Sequence, residues 1–159
     1  MKTTSTYSTS KIFKDFAKNE YFHIFFFSLL SEINYAFKPD AIVVQVGADS
    51  LANDPLGGFN LTPLGIGQCI SKVINLLRPT LILGGGGYNL ANASRLWTYI
   101  TGLVLGQELP VDIPDADPYF DQYGPSFELS LTPGCRSNAN SNEEICDNLE
   151  EAFRNLEEL

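Results

Sequence analysis

Histidine is nearly absent from this chain: His23 is the only one in 159 residues. No site in which two histidines share a metal or relay a proton can be built from these residues alone. Cysteine is scarce as well. Cys69, Cys135 and Cys146 form no C-x-x-C pair and leave an odd count, which argues against a disulfide framework and for a reducing compartment. Lysine and arginine number 10 against 19 acidic residues, for a net charge of −9 and a pI of about 4.4. That deficit argues against a binder of the nucleic-acid backbone, whose affinity comes from basic patches, and it suits a basic peptide partner, although an acidic surface more often serves solubility alone. Long apolar runs are missing too. Lys11, Lys14 and Lys18 ahead of Tyr21 to Leu30 imitate a signal or anchor, but the run is short, interrupted by His23 and followed by Glu32, and it lacks a small-residue cleavage site. Neither secretion nor a membrane anchor is expected. There are no internal repeats, and 44% hydrophobic with 18% charged residues describes a globular chain.

What is present is concentrated at two places. Thr80-Leu81-Ile82-Leu83 is an apolar run that ends in Gly84-Gly85-Gly86-Gly87-Tyr88-Asn89. Glycines at the end of a strand let the backbone turn tightly and approach a neighbour closely. Open α/β sheets place their chemistry beyond the carboxyl ends of parallel strands, so the turn can aim the Tyr88 phenol into a pocket as a hydrogen-bond donor. A flexible loop with a half-buried tyrosine is the plainer alternative.

Ala41-Ile42-Val43-Val44-Gln45-Val46 is continuous and rich in β-branched residues, the pattern of a strand buried on both faces, and it stops at Gly47-Ala48-Asp49-Ser50. Asp49 therefore also stands at a strand's C-terminal edge, where a carboxylate can cap a helix, bind a metal or act as a base. Together the two strand ends, with a helix between them, predict a βαβ unit whose edge carries Asp49 and Tyr88.

Local signals place the remaining elements. Helical spacing runs from Glu20 to Phe37 and stops at Lys38-Pro39. Thr62-Pro63 is a helix start, with Ile66, Cys69, Ile70, Val73, Ile74 and Leu77 on the buried face and Arg78-Pro79 as the stop. Asn92 to Leu105 reads as a helix closed by Gly106. A proline- and acid-rich loop, Leu109 to Pro125, leads to Phe127-Glu128-Leu129-Ser130-Leu131, which alternates like a short edge strand. After the polar linker 138–142, Glu143 to Leu159 is expected as an amphipathic helix with Ile145, Leu149, Phe153 and Leu156 on one stripe. His23, in an apolar helical stretch, reads as a packed or edge residue.

The segments Gly47-Ala48-Asp49-Ser50, Asp54-Pro55-Leu56, Phe59-Asn60-Leu61-Thr62, Leu83 to Asn89 and Arg95-Leu96-Trp97-Thr98-Tyr99 resemble, in order and spacing, the C-terminal part of the zinc-dependent class I histone deacetylases. The resemblance runs from about Glu20 to the chain end. Asn89 to Asn92, Gly65-Ile66-Gly67 and Thr132 to Arg136 look like the type 8 branch. It implies an α/β fold, part of a mostly parallel-sheet, three-layer αβα deacetylase (arginase-like) domain, with residues 20–159 as the C-terminal portion of the catalytic domain. It also implies hydrolysis of acetyl-lysine in histones and other proteins, as expected of a nuclear and cytoplasmic chromatin regulator.

Carried over by position, Asp49 matches a zinc ligand and Tyr88 the tyrosine that polarises the acetyl carbonyl and stabilises the oxyanion. Leu56 matches a wall of the acetyl-lysine tunnel, while Gly86 and Gly87 allow close approach to the lysine stem. Arg136 matches a structural ion pair supporting the glycine loop. Leu64 and Ala91 stand where corepressor-bound relatives carry arginines that grip an inositol phosphate, so no inositol-phosphate-dependent corepressor is expected.

The family's His-His pair and its Asp-x-His zinc segment are not among these residues. Residues 1–19, rich in Ser, Thr and Lys, read as a divergent or disordered start, with truncation as the preferred account. Alone, the chain is expected to be inactive; the alternative function is a non-catalytic or partner-binding module.

Overall fold

The computed structural model describes residues 20–137 and 141–157. The expectations for 1–19, for 138–140 of the linker and for the last two residues lie outside them. The described chain forms two compact units, one of residues 37–137 and one holding the helices at either end.

In the larger unit, β1 (Ile42–Val46) and β2 (Thr80–Gly84) pair in parallel, with Ile42 opposite Thr80 and Val46 opposite Gly84. Helix α2 (Pro63–Ile74) makes the crossover, and α3 (Leu90–Val104) follows β2. The expected βαβ unit is therefore present. Thr62 caps α2, its Oγ1 accepting from the Gly65 N–H at 3.2 Å, with Pro63 in the first turn. Asn89 caps α3 through the Asn92 N–H at 3.1 Å, so that helix begins two residues before Asn92. Gly106, at φ 64°, supplies the left-handed exit after it.

Helices α2 and α3 pack together, and the core is built from Val46, Ala48, Leu51, Leu61, Ile66, Ile70, Leu96 and Ile100. Val44 and Ile82 face it. The strand pair is covered on this face alone: Val43, Leu81 and Leu83 are exposed, with Val43 at 66%. The expectation of a strand buried on both faces is thus corrected, because within this unit α2 and α3 both pack on the face of Val44 and Ile82. Cys69 lies in the α2 core, where burial pushes its thiol up to about 11, and all three cysteines are free.

Two further expectations are corrected here. Leu77 does not continue the buried face: α2 ends at Ile74, and Leu77 turns out to solvent at φ 55°. The expected edge strand at 127–131 shrinks to one antiparallel bridge between Asp112 and Glu128, because Phe127 takes φ 55° and breaks the extended path.

The smaller unit holds α1 (Glu20–Phe37) and α4 (Asn142–Glu157). In α1, His23 is half-buried and stacks on Phe27 with ring centroids 5.5 Å apart, in keeping with a packed histidine. In α4, Ile145 and Leu149 are buried and Phe153 and Leu156 half-buried, as the stripe requires. Ser141 and Glu144 form a capping box: Ser141 Oγ accepts from the Glu144 N–H at 3.1 Å, and Glu144 Oε2 accepts from the Ser141 N–H at 2.9 Å. These bonds from the Ser141 backbone and side chain hold the Glu144 carboxyl below its usual range.

Candidate functional site

The two strand ends meet. Ala48 donates its N–H to the Gly86 carbonyl at 2.7 Å, tying the residue after β1 to the glycine turn after β2. Residues Ala48–Ser50 form a single 3-10 turn, closed by Ser50 Oγ donating to the Gly47 carbonyl at 2.8 Å. Asp49 lies inside this turn, not at its cap, which is Gly47, so the helix-capping alternative falls away. Its half-buried carboxylate lies against Gly86: a Cβ there would stand 2.1 Å from Asp49 Oδ2. Gly87 adopts φ +145°, and a Cβ on it would stand 2.7 Å from that of Ala48. Both glycines thus admit the end of β1, which is the close approach observed here.

Tyr88 follows directly, with 53% of its surface exposed. What holds it is a residue that sequence reasoning quoted only as part of a motif. Asp54 is 3% exposed, and its Oδ2 accepts the Tyr88 N–H at 2.8 Å while Oδ1 accepts the N–H groups of Leu56 at 2.9 Å and Gly57 at 2.8 Å. Burial works against the charge on Asp54, but the N–H groups of Tyr88, Leu56, Gly57 and Asn89 outweigh it and hold the carboxyl below its ordinary value. An Asp-Pro pair is a turn signal, so the local half of this arrangement could have been read; the bond to Tyr88, 34 residues away, could not.

Leu56 stands on the outside of that turn at 73% exposure, so the described residues do not enclose it in a tunnel. The Arg136 guanidinium donates to the Gly57 carbonyl, and Asn60 Nδ2 donates to the Arg136 carbonyl at 2.9 Å, so among the described residues Arg136 braces the 54–60 loop through backbone groups.

Behind the site, Arg95 and Asn92 form a second buried polar group that the sequence did not reveal. Arg95 donates to Asn92 Oδ1 at 3.0 Å, to the Glu128 carbonyl at 2.7 Å and to the Tyr123 carbonyl at 2.6 Å, and it lies over the Tyr123 ring. A shallow cavity of about 410 Å³ beside the C-terminal half of α3, lined by Trp97, Thr101, Leu105 and Leu109 among others, includes none of the candidate site residues.

Chemically, the edge offers one carboxylate, one phenol and a cluster of backbone donors. Among the described residues no group of three or more His, Cys, Asp or Glu side chains could hold a metal. A zinc site needs three or four protein ligands, so zinc does not fit this chain's described residues by themselves.

Comparison with known proteins gives this geometry a family. The histone deacetylase domain model matches residues 2–104. That match begins well ahead of Glu20, so it takes in the start that the motifs alone had left unmatched. Histone deacetylase 8 of Danio rerio is 42% identical over 139 residues, 87% of this chain and 36% of the relative. Histone deacetylase 8 of Xenopus laevis is 44% identical over 131 residues, 82% of this chain and 40% of the relative. Histone deacetylase 1 of Homo sapiens is 38% identical over 153 residues, 96% of this chain and 32% of the relative. The chain therefore spans about a third to two fifths of the length of these curated relatives. With its parallel α/β architecture, that of the arginase-like fold, and a greater likeness to histone deacetylase 8 than to histone deacetylase 1 among these relatives, the chain belongs to the class I histone deacetylase family.

Proposed function

We propose that this chain serves as the C-terminal portion of a protein lysine deacetylase domain, a hydrolase that converts acetyl-lysine and water to lysine and acetate. The observation that carries the reading is the meeting of Asp49 and the Tyr88 turn at one edge of the parallel strand pair. Tyr88, exposed and held by its backbone, donates its phenolic hydrogen to the acetyl oxygen as negative charge develops there. Leu56 borders the path of the lysine stem, and the backbone at Gly86 and Gly87 forms its floor. Asp49 contributes one carboxylate to the reacting centre.

Acetylated lysine peptides of histones or other proteins are the proposed substrates, and the net charge of −9 favours their basic flanks. The setting is nuclear and cytoplasmic, in chromatin and transcription regulation. No nucleic acid, membrane or inositol-phosphate-dependent corepressor takes part. Because one carboxylate cannot hold zinc, the cofactor implied by the family, no step is assigned to the metal on this chain. The same observation favours a second reading, a non-catalytic form or partner-binding module, for the chain on its own.

The test is Tyr88→Phe in an intact deacetylase domain carrying this segment. Loss of an oxyanion donor lowers kcat about a hundredfold with KM nearly unchanged. A kcat within twofold of the parent would make Tyr88 a packing residue and remove the reading's main support.

A further inference from the structure

We propose that Asp54 is a positioning residue, a carboxylate clamp whose second oxygen fixes where Tyr88 stands. The proposal rests on the deacetylase reading of Tyr88 and adds to it the group that sets its place.

A carboxylate at 3% exposure costs free energy unless its oxygens are satisfied, and here backbone N–H groups do so. The two oxygens do different jobs. Oδ1 takes Leu56 and Gly57, two and three residues on, and closes a local turn. An asparagine side chain could do the same with its single amide oxygen. Oδ2 takes the Tyr88 N–H, and at this place an amide NH2 would set donor against donor. The second acceptor of Asp54 therefore serves the residues that follow the glycine run, Tyr88 first and Asn89 beside it.

Tyr88 needs such an anchor. Gly84 to Gly87 precede it, and a run of four glycines carries little conformational preference of its own. The bond at Tyr88 N is the first fixed point after that run, and the Asn89 cap on α3 is the next. The clamp is braced from its other side, because Arg136 donates to the carbonyl of Gly57, whose N–H Asp54 holds. A displacement of about 1 Å in a reacting group can lower a rate a hundredfold, so fixing the Tyr88 backbone fixes the efficiency of its phenol.

The first measurement uses the wild-type 159-residue chain: a scalar coupling across the hydrogen bond, from Tyr88 N to the Asp54 carboxyl carbon, is expected by nuclear magnetic resonance. Its absence would overturn the clamp without reference to activity or to the folding of any variant. In Asp54→Asn, the Tyr88 amide should exchange with solvent at least tenfold faster while the Leu56 and Gly57 amides keep their protection; equal exchange at Tyr88 also overturns it.

In the intact domain, Asp54→Asn should lower kcat at least tenfold with KM changed less than threefold. Placed on Tyr88→Phe, it should cost less than a further twofold. Losses that multiply in the double variant would show a general structural role and overturn the positioning role. If instead Tyr88→Phe alone leaves kcat unaltered, the deacetylase role of Tyr88 fails, and the coupling and exchange results still decide whether the clamp exists.

Discussion

The carboxylate of Asp49 occupies the space that a side chain on Gly86 would fill: a Cβ there would stand 2.1 Å from Oδ2 and 2.6 Å from Cγ. The backbones are tied together by the Ala48 N–H bond to the Gly86 carbonyl, so it is the Asp49 side chain that must swing out of its place. Gly86→Ala should therefore displace the Asp49 carboxylate and cost about 1 kcal/mol, the low end of overpacking, read from the urea midpoint of unfolding. Gly58→Ala, where a Cβ would meet nothing within 4 Å, should leave the midpoint unmoved. Equal midpoints for the two variants would contradict the close approach at Gly86.

Arg95 is the buried hub for the irregular segment after α3. Its guanidinium satisfies the carbonyls of Glu128 and Tyr123 as well as Asn92. Arg95→Ala should leave those acceptors unpaired and cost on the order of 2–3 kcal/mol, with loss of amide protection concentrated at 111–129. The β1–β2 ladder should keep its protection. Uniform loss across both regions would show that Arg95 supports the core as a whole.

Much of this architecture could be read from short-range signals, because those signals act locally. Thr62-Pro63 starts α2 through a cap and a proline that need no tertiary partner, and Lys38-Pro39 stops α1 for the same reason. The approach of the Asp49 turn to the glycine turn before Tyr88 was legible because strand ends in a βαβ unit share an edge. Asp54 and Arg95 were not, since beyond their short-range bonds to Leu56, Gly57 and Asn92 the partners that give them their place lie 28 to 34 residues away and are backbone atoms that carry no sequence identity. The alternation at 127–131 misled because a strand needs a partner along its length, and here the pairing stops at one bridge, with backbone bonds only from Ile113 to Phe127 and from Leu129 to Val111. Continuous hydrophobicity in β1 likewise reports a tendency to be covered, whereas coverage itself depends on what packs there.

The inositol phosphate expectation rests on Leu64 and Ala91, in the first turns of α2 and α3, with Leu64 exposed. Neither carries charge, and holding a polyphosphate requires charge-assisted hydrogen bonds from arginine or lysine. An intact domain with this segment should show the same turnover with and without added inositol phosphate and corepressor. A tenfold rise would remove the type 8 assignment of its partner behaviour.

The chain by itself poses the sharpest test, because its chemistry and its packing point the same way. Asp49 is one carboxylate, and the described residues provide no cluster that could complete a zinc site. Zinc should therefore bind the purified 159-residue chain no more tightly than it binds an isolated surface carboxylate, and acetyl-lysine turnover should be absent. On the packing side, Val43, Leu81 and Leu83 form an exposed apolar face on a parallel strand pair, a type of sheet that is ordinarily covered on both sides. Exposed apolar strands invite pairing with other chains, so the isolated chain should self-associate as its concentration rises, and Leu81→Lys should suppress this without unfolding the core. Metal analysis, fluorogenic turnover and light scattering on the same preparation check all three outcomes. Stoichiometric tight zinc with measurable turnover would mean that residues outside the described segments complete the centre, and it would overturn the view that this chain supplies only part of an active site.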